Sequence, residues 1–135
     1  MNDSVGVTRN VLEAMLAEAR SEPLRECCGL LAGTNRIISA VLRARNALQS
    51  ATAYEIAPVE LFELFRRMRT QGLEHLGIYH SHPRGENAPS SLDIERAYYP
   101  EAAYFIVSPA RDALQPVRAF RMGAGEWREL RIEAV

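Results

Sequence analysis

The strongest constraint on the fold of this chain is an unbroken apolar run over Cys27–Ala32. An apolar run this short, bounded by turn-forming residues, is typical of a buried strand. The turn-forming residues 33–35 (Gly-Thr-Asn) follow it, and a second apolar stretch returns over Ile37–Arg43. This arrangement predicts a β-hairpin.

Three helices are predicted from hydrophobic periodicity and from residues that start or stop helices. Asn10 can cap the first helix, which extends to about Arg20. Pro58 suits the first turn of the second helix, which reaches about Thr70. The third helix is short and begins at about Ser91. On the second helix, the predicted apolar stripe is Leu61, Phe62, Phe65 and Met68, and the predicted ion pair is Glu63 with Arg67.

The remaining strand candidates are Val5–Thr8, Gly77–Ser81, Tyr104–Val107 and a C-terminal hairpin of residues 117–122 and 127–132. Strands and helices alternate in the first part of the chain, and strands dominate its end. This order predicts an α/β fold in which helices pack against a largely mixed β-sheet, within one domain spanning residues 1–135.

Composition excludes two classes of function. The net charge of -1 lacks the basic excess of a nucleic-acid-binding surface. The apolar runs are too short to span a membrane, and the N-terminus shows no basic-then-apolar signal segment. We therefore expect neither a nucleic-acid partner nor a membrane.

Two further features of composition bear on function. Cys27 and Cys28 form no disulfide framework, and their apolar neighbours predict two small buried side chains, so a reducing cytoplasm is the expected compartment. All 16 basic residues are arginine. Biased codon usage in a GC-rich genome explains this bias; the alternative is an enzyme of modified amines that avoids becoming its own substrate.

The most informative motif is His80-Ser81-His82-Pro83. Side chains two residues apart in a strand point to the same face, so His80 and His82 can reach one ion together. Pro83 has no N–H to give to a ladder and is expected to end the strand.

Ser90 and Asp93 have the spacing of a capping box at the start of the third helix. Taken alone, they predict a helix start and nothing more. Beside the paired histidines, Asp93 can instead supply a third ligand. Two imidazoles and a carboxylate suit Zn2+ and leave a fourth position open for water, as catalytic sites do.

Amide hydrolysis also needs a group that moves protons. Glu26, at the start of the buried strand, is the candidate base, and the alternative is an exposed glutamate at a strand end.

Three stretches, residues 26–33, 77–83 and 88–93, resemble the JAMM (MPN+) metallopeptidase family. The family signature is a Glu, then His-Ser/Thr-His-Pro, then Ser and, after two further residues, Asp. The resemblance implies that His80, His82 and Asp93 hold zinc, with the zinc water as nucleophile. It implies that Glu26 is the general acid/base and that Ser90 hydrogen-bonds the water or the oxyanion. It also implies a curved mixed sheet between helices, similar to the zinc cytidine deaminases.

Three rival interpretations are weaker. A non-catalytic MPN-type scaffold that binds proteins while retaining zinc is the main alternative, but the ligand positions are intact. A cysteine hydrolase would use Cys27 or Cys28 with His75, His80 or His82, yet no basic neighbour obviously activates either thiol. A zinc deaminase would need His-x-Glu and Pro-Cys-x-x-Cys motifs, which the chain lacks.

The resemblance to compact prokaryotic members implies a substrate class. Some of these members cut a peptide or isopeptide bond after the C-terminal Gly-Gly of a ubiquitin-like or sulfur-carrier protein. We expect the carrier's tail to add as a strand to an exposed sheet edge, with glycines fitting the narrow approach to the metal. The identity of the carrier and of the leaving amine, and formation of a homodimer, are left open.

Overall fold

The computed structural model describes residues 3–135 and shows a mixed α/β fold. No helix within this range is long and apolar enough to cross a bilayer. In chain order the elements are β1 (Ser4–Val7), α1 (Arg9–Ser21), β2 (Cys28–Thr34), β3 (Ile37–Ala44), α2 (Pro58–Thr70), β4 (Glu74–Ser81), α3 (Ser91–Glu95), β5 (Ala103–Val107), β6 (Val117–Gly123) and β7 (Glu126–Ala134).

The strands form one sheet in the order β1-β3-β2-β4-β5-β6-β7, which closes into a barrel. The pairs β2–β3, β2–β4, β5–β6 and β6–β7 are antiparallel, whereas β4–β5 is parallel. The short strand β1 closes the barrel because it pairs in parallel with both β3 and β7. The predicted mixed sheet and both predicted hairpins are confirmed, but closure by β1 was not predicted.

Helices α1 and α2 cover opposite faces of the sheet. Alternate residues of one strand join different clusters, so Leu31 packs on the α1 side and Leu30 on the α2 side. This alternation follows from the two-residue period of a strand. Helix α1 contributes Val11, Met15 and Ala19 to the first cluster, and α2 contributes Leu64 and Met68 to the second.

The start of α1 differs from the prediction. Thr8, not Asn10, is the N-cap, and its hydroxyl accepts a hydrogen bond from the Val11 N–H at 3.3 Å. Thr8 has the extended backbone that a cap requires, whereas Asn10 already lies inside the helix.

Helix α2 has the predicted bounds but a different buried face. Phe62 is 67% exposed, and Leu64 is buried in its place. Leu64 and Met68 lie four residues apart and therefore share one face, from which Phe62 is displaced. Glu63 pairs with Arg66 at 2.7 Å rather than with Arg67, because the guanidinium three residues away meets the carboxylate in a forked arrangement.

Candidate active site

The antiparallel register of β2 and β4 places the predicted base opposite a predicted metal ligand. Cys28 pairs with His80, and just beyond it the Ser81 N–H donates to the Cys27 carbonyl at 3.0 Å. The Ser81 hydroxyl also accepts from the Cys27 N–H at 2.9 Å. Glu26 and His82 are the next residues along the two segments, and the charge of His82 acts on the Glu26 carboxyl.

His80 is fully buried at the end of β4, on the face that α2 covers. The ring of Tyr54 stacks on its imidazole, with ring centroids 4.5 Å apart. Burial disfavours the imidazolium and lowers the pKa of His80. A neutral imidazole is the form that binds metals.

His82 directly follows the end of β4, and its N–H still donates to the Val107 carbonyl of β5 at 2.9 Å, so the chain leaves the sheet at Pro83, as predicted. Its Nδ1 lies 2.8 Å from the carbonyl oxygen of Glu86, which can only accept a hydrogen bond. Nδ1 therefore carries the proton, and Nε2 faces Asp93 at 3.0 Å. Burial opposes the charged form of His82, but the hydrogen bonds from His82 to Asp93 and Glu86 outweigh it and raise its pKa.

Asp93 is held by the capping box that the sequence predicts. Ser90 is the N-cap of α3, and its hydroxyl accepts from the Asp93 N–H at 3.1 Å. The Ser90 N–H in turn donates to Asp93 Oδ2 at 3.0 Å. Burial would raise the pKa of Asp93, but its hydrogen bonds with His80 and His82 hold the pKa below the usual range.

The three predicted ligands converge at one point. His80 Nε2 and His82 Nε2 lie 3.1 Å apart, and the Asp93 oxygens lie 3.2 Å from the first and 3.0 Å from the second. In a tetrahedral zinc site with bonds of about 2.0 Å, neighbouring ligand atoms are separated by about 3.3 Å. This donor set therefore fits Zn2+, and within residues 3–135 it is the one such group of His, Cys, Asp or Glu side chains.

Glu26 is a buried carboxyl beside this group. The residue is 4% exposed, and its Oε1 has no hydrogen-bond partner among the described residues. Burial raises the pKa of Glu26 to about 8, a shift that the positive charge of His82 partly opposes. Glu26 is thus not the exposed strand-end glutamate that was the alternative.

The structure disfavours the cysteine hydrolase. Cys27 and Cys28 are buried free thiols, and burial raises their pKa values to about 11 and about 12, so neither forms a thiolate near neutrality. His75 lies apart from the site, where its ring meets the edges of the Phe65 and Tyr99 rings.

Two residues of the site were not predicted from the sequence. Tyr54 supports His80, and the buried Asn46 donates a hydrogen bond to the Glu26 carbonyl at 3.0 Å. Both lie between β3 and α2 in a segment with no helical or strand period. An asparagine in such a segment predicts only a turn, so no sequence signal marked either residue.

Comparison with known proteins then identifies the family. The family described as prokaryotic homologs of the JAB domain matches residues 8–123. The chain belongs to this family. A desampylase from Haloferax volcanii is 34% identical to this JAB-domain chain over 122 residues, which cover 85% of the chain and 81% of the relative.

Two further relatives are also peptidases or proteases by name. The CysO-cysteine peptidase of Mycobacterium tuberculosis is 31% identical over 121 residues, covering 88% of the chain and 83% of the relative. A probable TtuB-protein conjugate cleaving protease from Thermus thermophilus is 35% identical over 121 residues, covering 89% and 77%. The JAB-domain chain is therefore a hydrolase of the JAMM peptidase type, as the sequence predicted.

Solved structures show the same fold. A Desulfitobacterium hafniense protein superposes with a TM-score of 0.86 at 31% identity, covering 97% of this chain and 92% of that one. A structure described as a metalloprotease-like zinc site in the proteasome and signalosome superposes with a TM-score of 0.62 at 18% identity, covering 96% and 98%. The second similarity shows the JAB-domain fold alone.

Proposed function

We propose that this protein is a zinc-dependent peptidase that cleaves the bond after the C-terminal Gly-Gly of a ubiquitin-like or sulfur-carrier protein. The observation that carries the proposal is the convergence of His80, His82 and Asp93 within 3.0 to 3.2 Å beside the unpartnered carboxyl of Glu26. Three ligands leave a position open for water, and a zinc-retaining scaffold without a base would share that feature. The buried base favours hydrolysis.

In the proposed reaction, His80, His82 and Asp93 hold the metal, which when bound polarises the scissile carbonyl and makes water acidic near neutrality. Glu26 takes a proton from the attacking water as the new C–O bond forms. Glu26 then gives that proton to the nitrogen as the C–N bond breaks, so the products are a carrier carboxylate and a free amine. Ser90 uses its hydroxyl oxygen to cap α3, which leaves its proton to donate to the developing oxyanion.

The substrate class is supported by the relatives and by a groove. The relatives are named desampylase, CysO-cysteine peptidase and probable TtuB-protein conjugate cleaving protease. A largely apolar groove of about 440 Å³ begins at Asp93 and lies between α3 and residues 53–58; its lining includes Ile56, Leu61 and Tyr98. We infer that the flexible carrier tail lies in this groove.

We propose that the tail binds otherwise than by addition to a strand of the barrel. Strands β2, β4 and β5, which surround the site, each pair with a neighbour on both sides, so they offer no free edge. Residues 53–57 offer an alternative. The backbone groups of Ala53 and Glu55 make hydrogen bonds with Asn46 and Ala47. In contrast, the backbone groups of Tyr54 and Ile56 make no hydrogen bond within residues 3–135. This alternation resembles a strand edge, and we propose that the tail pairs with it.

The globular body of the carrier is proposed to dock on α2. Its first residue, Pro58, lines the groove, and the exposed side chains of Val59 and Phe62 continue outward from it at 83% and 67% exposure. Large apolar side chains so exposed are typical of interaction surfaces. We also place the activity in the cytoplasm, because both cysteines are free thiols, as a reducing compartment allows.

The test is to offer zinc-loaded protein a ubiquitin-like carrier whose C-terminal Gly-Gly is joined to cysteine or to a lysine side chain. We expect release of the intact carrier, loss of activity with a chelator, and about one zinc per chain by elemental analysis. Alanine at His80, His82 or Asp93 should empty the site. Glu26→Gln should keep zinc and lose most turnover, because an amide cannot accept the proton.

Unstructured peptides of unrelated sequence provide the control substrate. If they are cut as readily as the carrier, the protein is a general peptidase and tail recognition is wrong. If zinc binds stoichiometrically but no carrier conjugate or peptide is cut, the scaffold alternative is correct.

A further inference from the structure

Asn46 is a buried polar residue just after β3, and every hydrogen-bonding group of its side chain has a partner. Its two amide protons go to the carbonyl oxygens of Glu26 and Ala53, each at 3.0 Å. Its oxygen accepts from the N–H groups of Leu48 and Glu55 at 3.0 and 3.2 Å. These bonds fill the capacity of a carboxamide, which has two protons to donate and two lone pairs.

The backbone of Glu26 is held at both ends by the segment that Asn46 organises. The Glu26 N–H donates to the Ser50 carbonyl at 2.8 Å, and the Glu26 carbonyl accepts from Asn46. Glu26 lies two residues before the first residue of β2, so these two bonds hold its backbone as ladder hydrogen bonds hold the residues within the strand. Because Oε1 of the carboxyl has no partner of its own, the direction of the side chain depends on this backbone.

The same segment reaches the metal ligands. Tyr54 lies between Ala53 and Glu55, both of which bond to Asn46, and its ring stacks on His80. Asn46 therefore connects the backbone of the base to the ring that supports the first histidine. It contacts none of the three ligands itself.

We propose that Asn46 is a positioning residue that aims the Glu26 carboxyl at the reacting water. The inference rests on the proposed function, since it assumes that Glu26 is the base. Asn46 touches neither substrate nor metal and acts through the backbone of Glu26. Its loss should therefore slow the chemical step while metal and substrate binding persist.

The decisive variant is Asn46→Asp, which keeps the size of the side chain and replaces the two amide protons by an acceptor. The carbonyls of Glu26 and Ala53 then face an oxygen, and the contact that fixes Glu26 is lost. At saturating zinc we expect kcat to fall about 10- to 100-fold, the usual cost of losing a residue that orients a catalytic group. KM and zinc occupancy should stay close to wild type.

A matched control separates positioning from general loss of stability. Thr8→Ala removes the N-cap of α1 on the opposite face of the sheet and should lower the melting temperature. Its kcat should remain within about twofold of wild type. If the two variants lose kcat to the same extent at equal loss of melting temperature, Asn46 has only a structural role and the proposal is overturned.

The double variant, Asn46→Asp in the Glu26→Gln background, gives a measurement that a purely structural role of Asn46 would not affect. If Asn46 acts through Glu26, Asn46→Asp should have little further effect on single-turnover rates in the Glu26→Gln background. The same fold-loss in both backgrounds would contradict the proposal. Should the rates of Glu26→Gln fall below detection, hydrogen exchange decides. The Glu26 amide, bonded to Ser50, should exchange faster in Asn46→Asp while the amides of α1 do not, and unchanged exchange would refute the idea.

Failure of the proposed function has a different signature. A wild-type protein that cuts no carrier conjugate contradicts the peptidase assignment, whatever Asn46 does. The hydrogen-exchange result still shows whether Asn46 fixes the Glu26 backbone. An active wild type with unaltered kcat in Asn46→Asp contradicts only the positioning role.

Discussion

Glu26 is expected to destabilise the metal-free protein, and Glu26→Gln should reveal by how much. Burial raises the pKa of Glu26 from 4.5 to about 8, so the folded protein retains a proton that the unfolded chain has lost. The stability associated with this proton is complete below about pH 4.5 and disappears as the pH rises through about 8. A glutamine carries no charge and shows no such loss.

The size of the effect at pH 7 follows from the shift. The pH lies about 2.5 units above the unfolded pKa and still below the folded one, and each unit corresponds to about 1.4 kcal/mol. The upper value is therefore roughly 3 kcal/mol. Solvent at the open side of the site screens the charge and reduces the expected gain in Glu26→Gln to about 1.5 kcal/mol.

The assay is urea denaturation of both proteins in a chelator at several pH values between 4 and 8.5. The difference in unfolding free energy should be near zero at the acid end and should grow with pH in favour of Glu26→Gln. His80 and His82 titrate in both proteins and largely cancel in the difference. Added zinc should narrow the gap, because a cation stabilises the neighbouring carboxylate. A constant difference across the pH range would refute the account of Glu26 as a carboxyl strained by burial.

Three further predictions concern single side chains. Ser90→Ala should lower kcat about 100-fold, as loss of an oxyanion donor does, and should cost about 1 kcal/mol of stability through the lost cap, measured by denaturation. Phe62→Ala should raise KM about tenfold for an intact carrier but not for a short tail peptide; Leu114→Ala, at a side chain 98% exposed outside the groove, should change neither. Tyr54→Leu should weaken zinc binding about tenfold in a competition titration, because the stack that orients His80 is lost.

Much of the fold was predictable because local patterns are strong where strands are buried. The hairpin of β2 and β3, the bounds of α2 and the hairpin of β6 and β7 all follow from apolar runs and turn residues. Closure of the barrel by β1 did not, because pairing between a four-residue strand and the distant β7 depends on contacts far apart in sequence. The exposure of Phe62 was also missed, because a one-residue change of phase on a helix moves a side chain off the buried face.

The candidate site, like the fold, was predictable from the sequence only in part. His80, His82 and Asp93 were predictable as neighbours, because strand period and capping-box spacing each fix a local direction. Whether Glu26 was buried could not be told from position alone, since burial depends on the register of β2 against β4. Asn46 lies outside any periodic element, and the contacts on which its proposed role depends form only when the chain folds back on itself.

The capping box limits how this site could be re-engineered. The Asp93 carboxylate both starts α3 and faces the two histidines, so one side chain serves helix initiation and ligand presentation. A histidine or cysteine at this position, chosen to favour another metal, would keep a donor atom but lose the bond from the Ser90 N–H. A longer glutamate would move the carboxylate away from one partner or the other. Changes of metal preference are therefore more accessible at the histidines, whose backbone belongs to the β4 terminus and whose exchange leaves the helix start intact.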